Sequence, residues 1–334
     1  MPECIPPRVA PLTQTEGRPF WSVMIPTFNQ TSERAGYMER MLTSLLAQDP
    51  GPAEMQIEVI DDGSPLDPEP LVRRIAGERI KFVRNPQNVG FARNFNCCVE
   101  RARGHWVHIL HTDDYLLPGF YTRLKPAIAS RAEVGAAFCR PAWVFADAPQ
   151  LCEGIQESST AGILADFIER IGASQRIAFS TMVVRRTVYE TIGGYLPELF
   201  TTDWQMWIRI AASYPIWYEP AALVACRIHD EAGTAQAVRT CAVVADMHRC
   251  IEVSRPLLPP DRADAISREA RRWVSVGALD MAQNSLASNH FKAALSHVWQ
   301  GFKCHPSPQF IKRLLLQSAR FAKARLRRTA PAAP

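Results

Sequence analysis

The sequence has no C-x-x-C pair. Its nine cysteines, at positions 4, 97, 98, 139, 152, 226, 241, 250 and 304, are odd in number and show no paired spacing. This excludes a zinc site built on that spacing and argues against a disulfide framework. Most lie in apolar surroundings and read as small buried hydrophobes, so a reducing cytoplasm is the expected compartment. No run reaches about 18 uninterrupted apolar residues, and no membrane-spanning helix is expected. Residues 1–20 hold five prolines and no apolar h-region, so 1–19 reads as a flexible lead rather than a secretory signal. There is no low-complexity tract and no convincing long repeat. The net charge of +5 is mild and its basic residues are mostly dispersed, which gives no reason to expect a nucleic-acid partner. What remains is ordinary globular composition, 47% hydrophobic and 21% charged, in a length of 334 residues that suits one large domain and a smaller one.

Along the chain, short apolar runs alternate with helical periodicity. Trp21–Ile25 reads as a buried strand ending at Pro26. Met38, Met41, Leu42, Leu45 and Leu46 recur at helical spacing within Tyr37–Gln48. Gln56–Ile60 is a second strand, Pro68–Ala76 a helix, Ile80–Arg84 a third strand, Phe91–Arg103 a helix and His105–Leu110 a fourth strand. Such alternation predicts an α/β, Rossmann-like, mostly parallel sheet flanked by helices. In such sheets ligands bind beyond the C-terminal strand ends. Asn29, Asp61-Asp62 and Asp113-Asp114 each follow closely on an apolar strand. The second half is less regular. Ile177–Arg185 reads as a strand, Asp203–Ala212 as a helix and Trp217–Ile228 as extended. Beyond about residue 235 the pattern is helical, broken at Pro256–Pro260, with Arg268–Pro306 as an antiparallel helix pair. The expected organisation is a lead over 1–19, an α/β domain over 20–234 and a C-terminal helical appendage over 235–334.

Two adjacent carboxylates at a strand end repel each other and are costly to bury, so Asp113 and Asp114 suit a divalent cation such as Mn²⁺ or Mg²⁺. A helix N-cap and turn before Pro118 explains them equally well. Asp61-Asp62-Gly63-Ser64 has common turn composition. Even so, two acidic turns at the ends of one sheet would converge on one crevice, where a carboxylate could accept hydrogen bonds from a base or a ribose. Arg93, at the start of a helix, could bind phosphate there or stand as a surface arginine.

Ser22-Val-Met-Ile-Pro-Thr-Phe-Asn29, Val59-Ile-Asp-Asp-Gly-Ser64, Asn88-Val-Gly-Phe-Ala-Arg-Asn94 and His111-Thr-Asp-Asp114 resemble, in order and spacing, the successive motifs of family-2 glycosyltransferases. Each motif is weak alone; four in order over about 100 residues are specific. The resemblance runs from roughly Phe20 to Asp230 and implies the GT-A fold. It further implies that Pro26, Thr27, Phe28 and Asn29 line a base pocket, that Asp62 contacts base or ribose with Asp61 behind it, and that Arg93 lies near the nucleotide. Asp113 would hold the last position of the metal-binding D-x-D element, with Asp114 as a second metal or ribose ligand. The first position of that element is His111 rather than Asp, with Thr112 between. Thr201-Thr202-Asp203-Trp204 resembles the family's acidic motif before a helix, with Thr202 in place of Glu. Asp203 is then the general base, its pKa raised among aromatic neighbours, although it would equally serve as an N-cap. Gly193-Gly194-Tyr195 resembles a turn beside the acceptor, placing Gly194, Tyr195 and Trp204 on the acceptor side. Arg227-Ile-His229 resembles a later element whose His approaches the metal or diphosphate; a structural histidine is the other reading.

The resemblance implies an inverting displacement from a nucleoside-diphosphate sugar, most commonly a UDP-sugar, onto a saccharide or lipid-linked saccharide hydroxyl in bacterial cell-surface polysaccharide synthesis. The loop Pro26–Thr31 lacks the glycine and lysine of a nucleotidyltransferase phosphate loop. A degenerate transferase-like domain that binds nucleotide without turnover is the non-enzymatic alternative. Residues 310–328 combine Leu, Ile and Phe with seven Lys or Arg and no acid. That fits either peripheral membrane contact through 308–334 at an inner membrane face or a solvated basic helix.

Overall fold

Strand β1, Trp21–Thr27, is buried along its whole length. It is flanked by parallel neighbours on both sides, β2 (Met55–Asp61) and β4 (Trp106–Ile109). A strand covered on both faces must be apolar at consecutive positions, which is why Trp-Ser-Val-Met-Ile lacks the alternation of a half-exposed strand. The computed structural model describes all residues except 1–3, 14–15, 29–30, 146–147, 230–236, 240 and 330–334. The chain divides into two compact units, Met1–Ile171 with Gln175–His229, and Gly172–Ser174 with Asp230–Pro334.

In the first unit the strand order is β3-β2-β1-β4-β9-β6-β10-β5, with β3 at Lys81–Arg84, β5 at Tyr115–Leu116, β6 at Ala136–Phe145, β9 at Met182–Arg185 and β10 at Ile216–Ile228. Two further strands lie off this path: β7, Ala148–Glu153, on β6, and β8, Gly162–Ile163, on β10. Pairing from β3 to β4 is parallel, and β6 and β10 are parallel to each other. Between the two parallel sets β9 runs antiparallel to both β4 and β6. The C-terminal ends of β1, β2 and β4 therefore meet at one edge of the sheet.

Helices connect these strands: α1 (Ser32–Leu46), α2 (Glu69–Ala76), α3 (Phe91–Arg101) and α4 (Phe120–Ala129). Later helices are α5 (Phe167–Ala173), α6 (Arg186–Ile192) and α7 (Thr202–Ser213). Helix α1 begins five residues before its apolar periodicity. Thr31 caps it by accepting the Arg34 N–H, and its first turn carries no apolar stripe to read. Met38, Met41, Leu42 and Leu45 are fully buried with Ile25, Val59 and Val72 in one core. Each such side chain contributes roughly 1.5–3 kcal/mol.

The strand expected over Ile177–Arg185 is shorter. Phe179–Thr181 forms a 3₁₀ turn, and β9 begins at Met182. The lead, expected to be flexible, is anchored where it is described. Val9 is 2% exposed, the Pro7 carbonyl accepts the Gly194 N–H at 2.8 Å, and the Ala10 carbonyl accepts from Arg186 at 3.2 Å.

The second unit is helical among its described residues: Val243–Ser254, Ala263–Ala287, Phe291–Cys304 and Pro308–Thr329. The second and third of these form a hairpin that turns at Asn289, whose φ is 61°. Small residues bring the two helices close. A Cβ on Gly301 would lie 2.9 Å from the Ala278 Cβ.

Candidate active site

β4 ends at Ile109, and the next residues cannot stay apolar once they leave the sheet. The Leu110 N–H still donates to the Met24 carbonyl at 3.0 Å; then His111–Asp114 turns, with the Asp114 N–H donating to the His111 carbonyl at 3.3 Å. The turn brings the side chains of His111, Asp113 and Asp114 together, with one ligand atom from each lying within 4.8 Å of the others.

The rest of this cluster comes from far along the chain. β5 pairs antiparallel with β10 in the register Tyr115↔Ala225. That register carries Arg227 and His229 back beside Asp113 and Asp114. The Arg227 N–H donates to Asp114 Oδ1 at 3.0 Å, Arg227 Nε donates to the Asp113 carbonyl at 3.3 Å, and His229 Nε2 lies 3.1 Å from Asp113 Oδ2. The Arg227 guanidinium lies 4.3 Å from the Tyr37 ring centroid, and Tyr37 is also packed on the His229 ring.

Ser180 ties the cluster from beneath. Its hydroxyl donates to Asp114 Oδ2 and accepts the His111 N–H at 3.1 Å. Its carbonyl accepts from His108 Nε2 at 2.8 Å. A carbonyl can only accept, so Nε2 carries the His108 proton, and Nδ1 then accepts from the Tyr121 hydroxyl at 2.9 Å.

Charge follows from this placement. Burial pushes the Asp114 carboxyl up to about 8, and Asp113 beside it pushes in the same direction. Asp113 is held below the usual carboxylate range. Burial opposes this, but the His229 hydrogen bond and the two histidines outweigh it. Desolvation lowers the His111 pKa against the pull of Asp113, which favours the neutral imidazole. His111 is stacked on Phe179 at 4.4 Å and on Phe95 at 5.5 Å, and its Nε2 is buried with no hydrogen-bond partner among the described residues. A neutral imidazole with an orphaned nitrogen beside two carboxylates is a donor set that a divalent cation satisfies. His111 and Asp113 have the atoms to reach such an ion. Both Asp114 oxygens are already engaged by Ser180 and Arg227, which places Asp114 behind them.

The second acidic turn is bound differently. Asp62, 1% exposed, accepts from Asn85 Nδ2 at 3.0 Å, the Val89 N–H at 2.9 Å and the Gly90 N–H at 3.0 Å. Its own N–H donates to the Thr27 carbonyl at 2.8 Å. Asp62 thus pins the loop before α3 to the end of β1. Asp61, fully buried, accepts from both the N–H and the hydroxyl of Ser64 and pairs with Arg84 at 3.3 Å. Burial raises its pKa against the Ser64 hydrogen bonds and Arg84. Both carboxylates are consumed within the chain. Pro26 and Thr27 are buried at the β1 end and Phe28 is exposed beside them; Asn29 lies outside the described residues. Arg93 lies in the first turn of α3 and is exposed.

Asp203 lies in the first turn of α7, half-buried, and its Oδ2 accepts from Gln175 Nε2 at 2.8 Å. Its charge reaches the Tyr195 hydroxyl, whose pKa is raised chiefly by burial. Tyr195 touches Phe95, Phe179 and Trp207, so an aromatic cluster joins the α7 end to His111. The backbone approach expected at Gly194 is to Asn96. A Cβ on Gly194 would lie 2.3 Å from Asn96 Oδ1, and Asn96 clamps Tyr195 by accepting its N–H at 2.7 Å and donating to its carbonyl at 2.9 Å. Tyr195 is fully buried, and the Trp204 indole N–H donates to the Ile171 carbonyl at 2.7 Å inside the core. These two side chains back a wall; they do not face solvent.

Sequence reasoning singled out His111, Asp113, Asp114 and His229, which the fold brings together. It missed Ser180, Phe179 and Asn96. Phe179 and Ser180 fall in a segment that reads as strand, and Asn96 is a polar residue inside a helix. None carries a local signal, because Ser180 and Phe179 reach the His111–Asp114 turn across 66 residues or more and Asn96 reaches Tyr195 across 99.

Comparison with known proteins adds a family to this geometry. Residues 22–149 match the family model described as glycosyl transferase family 2. An uncharacterized protein of Mycobacterium tuberculosis is 35% identical over 121 residues, 36% of this chain and 36% of that protein. An uncharacterized glycosyltransferase of Mycoplasma pneumoniae is 27% identical over 122 residues, 36% of this chain and 40% of its own length. The chain thus spans well under half the length of these curated relatives. Among solved structures, residues 1–349 of Staphylococcus aureus TarS in complex with UDP superpose with a TM-score of 0.60 at 15% identity, covering 86% of this chain and 91% of that one. The mannosyltransferase PcManGT of Pyrobaculum calidifontis, in complex with GDP-Man and Mn²⁺, gives 0.54 at 19% identity, covering 96% and 89%. At these identities the likeness is one of fold.

Proposed function

We propose that this chain, whose residues 22–149 match glycosyl transferase family 2 and whose fold is GT-A, is an inverting, metal-dependent sugar transferase. The observation that carries this reading is the cluster of His111, Asp113 and Asp114 at the β4 end, with His229 hydrogen-bonded to Asp113. The donor is a nucleoside-diphosphate sugar, with UDP-sugars first in rank. The acceptor is a hydroxyl of a saccharide or lipid-linked saccharide, in bacterial cell-surface polysaccharide synthesis.

A divalent ion held by His111 and Asp113, with Asp114 behind them, would offset the charge that develops on the leaving diphosphate. The imidazole in this donor set favours Mn²⁺ over Mg²⁺, which prefers oxygen alone. The residues of the chain supply the rest. Asp203 accepts the proton of the acceptor hydroxyl, with Gln175 orienting the carboxylate. The acceptor oxygen then attacks C1 of the donor sugar from the face opposite the diphosphate, the C1–oxygen bond to the diphosphate breaks, and the anomeric centre inverts. Pro26, Thr27 and Phe28 wall the base, and Asp62 acts by holding the loop 85–90 beside it.

Calorimetric titration of UDP, dTDP and GDP, each with and without Mn²⁺, tests the site. Metal-dependent binding of one nucleotide, lost in Asp113→Ala, supports the transferase and narrows the donor. Metal-dependent nucleotide binding by the folded protein without sugar transfer supports the second reading, a domain that binds nucleotide but has lost turnover. That reading draws on His111 in place of an acid and on Thr202, whose buried hydroxyl has no hydrogen-bond partner among the described residues.

A further inference from the structure

The helix Phe291–Cys304 is turned the wrong way round for a water-facing surface. The side it packs inward is made of Ala293, Ala294, His297, Gly301 and Cys304, all buried. Its large apolar side chains point outward: Leu295 is 72% exposed, Trp299 57%, Phe291 49% and Phe302 42%. Spaced at i, i+4, i+8 and i+11, these four fall within about 80° on a helix of 100° per residue, forming one stripe. Trp299 and Phe302 stack with ring centroids 6.3 Å apart, and the Lys303 ammonium lies over Trp299 at 4.9 Å. The next helix, Pro308–Thr329, buries Phe310 but exposes Ile311 and Leu315. Four aromatic and aliphatic side chains in line are far more than the scattered exposure of an ordinary surface.

Charge identifies what covers this face. Residues 281–334 hold nine of the chain's 38 Lys and Arg and none of its 33 Asp and Glu. This one segment sets the sign of the +5 total. Lys292 and Lys303 flank the stripe on the same side of the helix, and seven more cations follow in the next helix. Of these, Arg313 is paired with Asp280 at 2.6 Å. An apolar stripe of Trp, Phe and Leu edged by Lys292 and Lys303 matches a bilayer surface with anionic headgroups. No helix among the described residues is long and apolar enough to cross a membrane, so the contact is a surface one.

We propose that the outward face of Phe291–Cys304, continued by the basic helix Pro308–Thr329, is a docking surface for anionic lipid bilayers. The stripe enters the headgroup–acyl boundary, and the lysines and arginines lie against the headgroups. This surface shares no residue with the candidate active site.

The test is co-sedimentation of the full chain with vesicles of neutral phosphatidylcholine alone or with 30 mol% phosphatidylglycerol (on the order of a third anionic lipid). Binding to the anionic vesicles is expected, falling tenfold or more in Leu295→Glu/Trp299→Glu and weakening with salt. Both positions are exposed, so the fold and nucleotide binding should persist, and circular dichroism checks the former. Lys292→Glu/Lys303→Glu should reduce anionic binding without changing the residual binding to neutral vesicles. Equal pelleting of wild type and the Leu295/Trp299 variant overturns the proposal, as does absence of binding to anionic vesicles. Concentration-dependent dimerisation in sedimentation velocity, abolished by the Leu295/Trp299 variant, would assign the face to a second copy and overturn it as well.

Discussion

His229 Nε2 lies 3.1 Å from Asp113 Oδ2, across 116 residues of chain. The strand register that brings them together also fixes Arg227 on Asp114. The pair therefore orients the carboxylate best exposed for ligation. Removing such an orienting partner lowers metal affinity about 10–100-fold in comparable sites. His229→Ala is expected to weaken Mn²⁺-dependent nucleotide binding by that factor while the thermal transition stays in place. Calorimetry with Mn²⁺ held at a series of concentrations checks it, and unchanged affinity would free His229 of the role.

Asp203 stands apart from that cluster, in the first turn of α7, hydrogen-bonded to Gln175. Asp203→Asn keeps the size and the contact but cannot take a proton. A fall in kcat of about 10²–10⁴ is expected, with nucleotide affinity unchanged. Single-turnover transfer rates compared with nucleotide Kd separate the two quantities. Near-wild-type transfer would remove Asp203 as the base.

Gly194 and Asn96 form a pair in which each excludes a change in the other. A methyl on Gly194 would lie 2.3 Å from Asn96 Oδ1. Gly194→Ala should therefore lose about 1–3 kcal/mol of stability. Asn96→Ala, which deletes two buried hydrogen bonds to Tyr195, should lose about 1–3 kcal/mol as well. Because the second substitution opens room for the first, the double variant should be less destabilised than the sum. Denaturant melts of the four proteins measure the difference; strict additivity would refute the steric reading.

His108 gives the fold an acid-side limit. It is fully buried, stacked on Phe120, and burial lowers its pKa from 6.5 to about 4. The unfolded chain protonates this ring near pH 6.5, and the folded chain does not until about pH 4. Its contribution to stability is thus complete above the unfolded pKa and is lost as pH falls through that window, by on the order of 3 kcal/mol. His108→Gln should flatten this part of the stability curve. Urea melts between pH 7 and 4.5 for both proteins check the slope.

Much of the first unit was legible because it is local. Strands β1 to β4 and helices α1 to α3 each announce themselves by a run or a period, and parallel βαβ units leave few arrangements. His111, Asp113 and Asp114 could be named because they are adjacent in sequence. The antiparallel insertion of β9 between β4 and β6 could not be read, since a four-residue strand carries no sign of its partner. The lead misled for the same reason: proline-rich composition says nothing about Pro7 lying on Gly194.

By itself, then, the sequence determined an alternating α/β order, the family motifs over residues 22–149 and the acidic ends of two strands, all of which depend on neighbours a few residues apart. Tertiary structure decided which carboxylates are left to act. It ties Asp61 to Ser64 and Arg84, spends Asp62 on the backbone of Val89 and Gly90, and sets Asp114 on Ser180. It leaves Asp113 beside His111 and His229. A buried carboxylate must find donors wherever the fold supplies them, and those donors come from distant segments whose meeting no local pattern encodes.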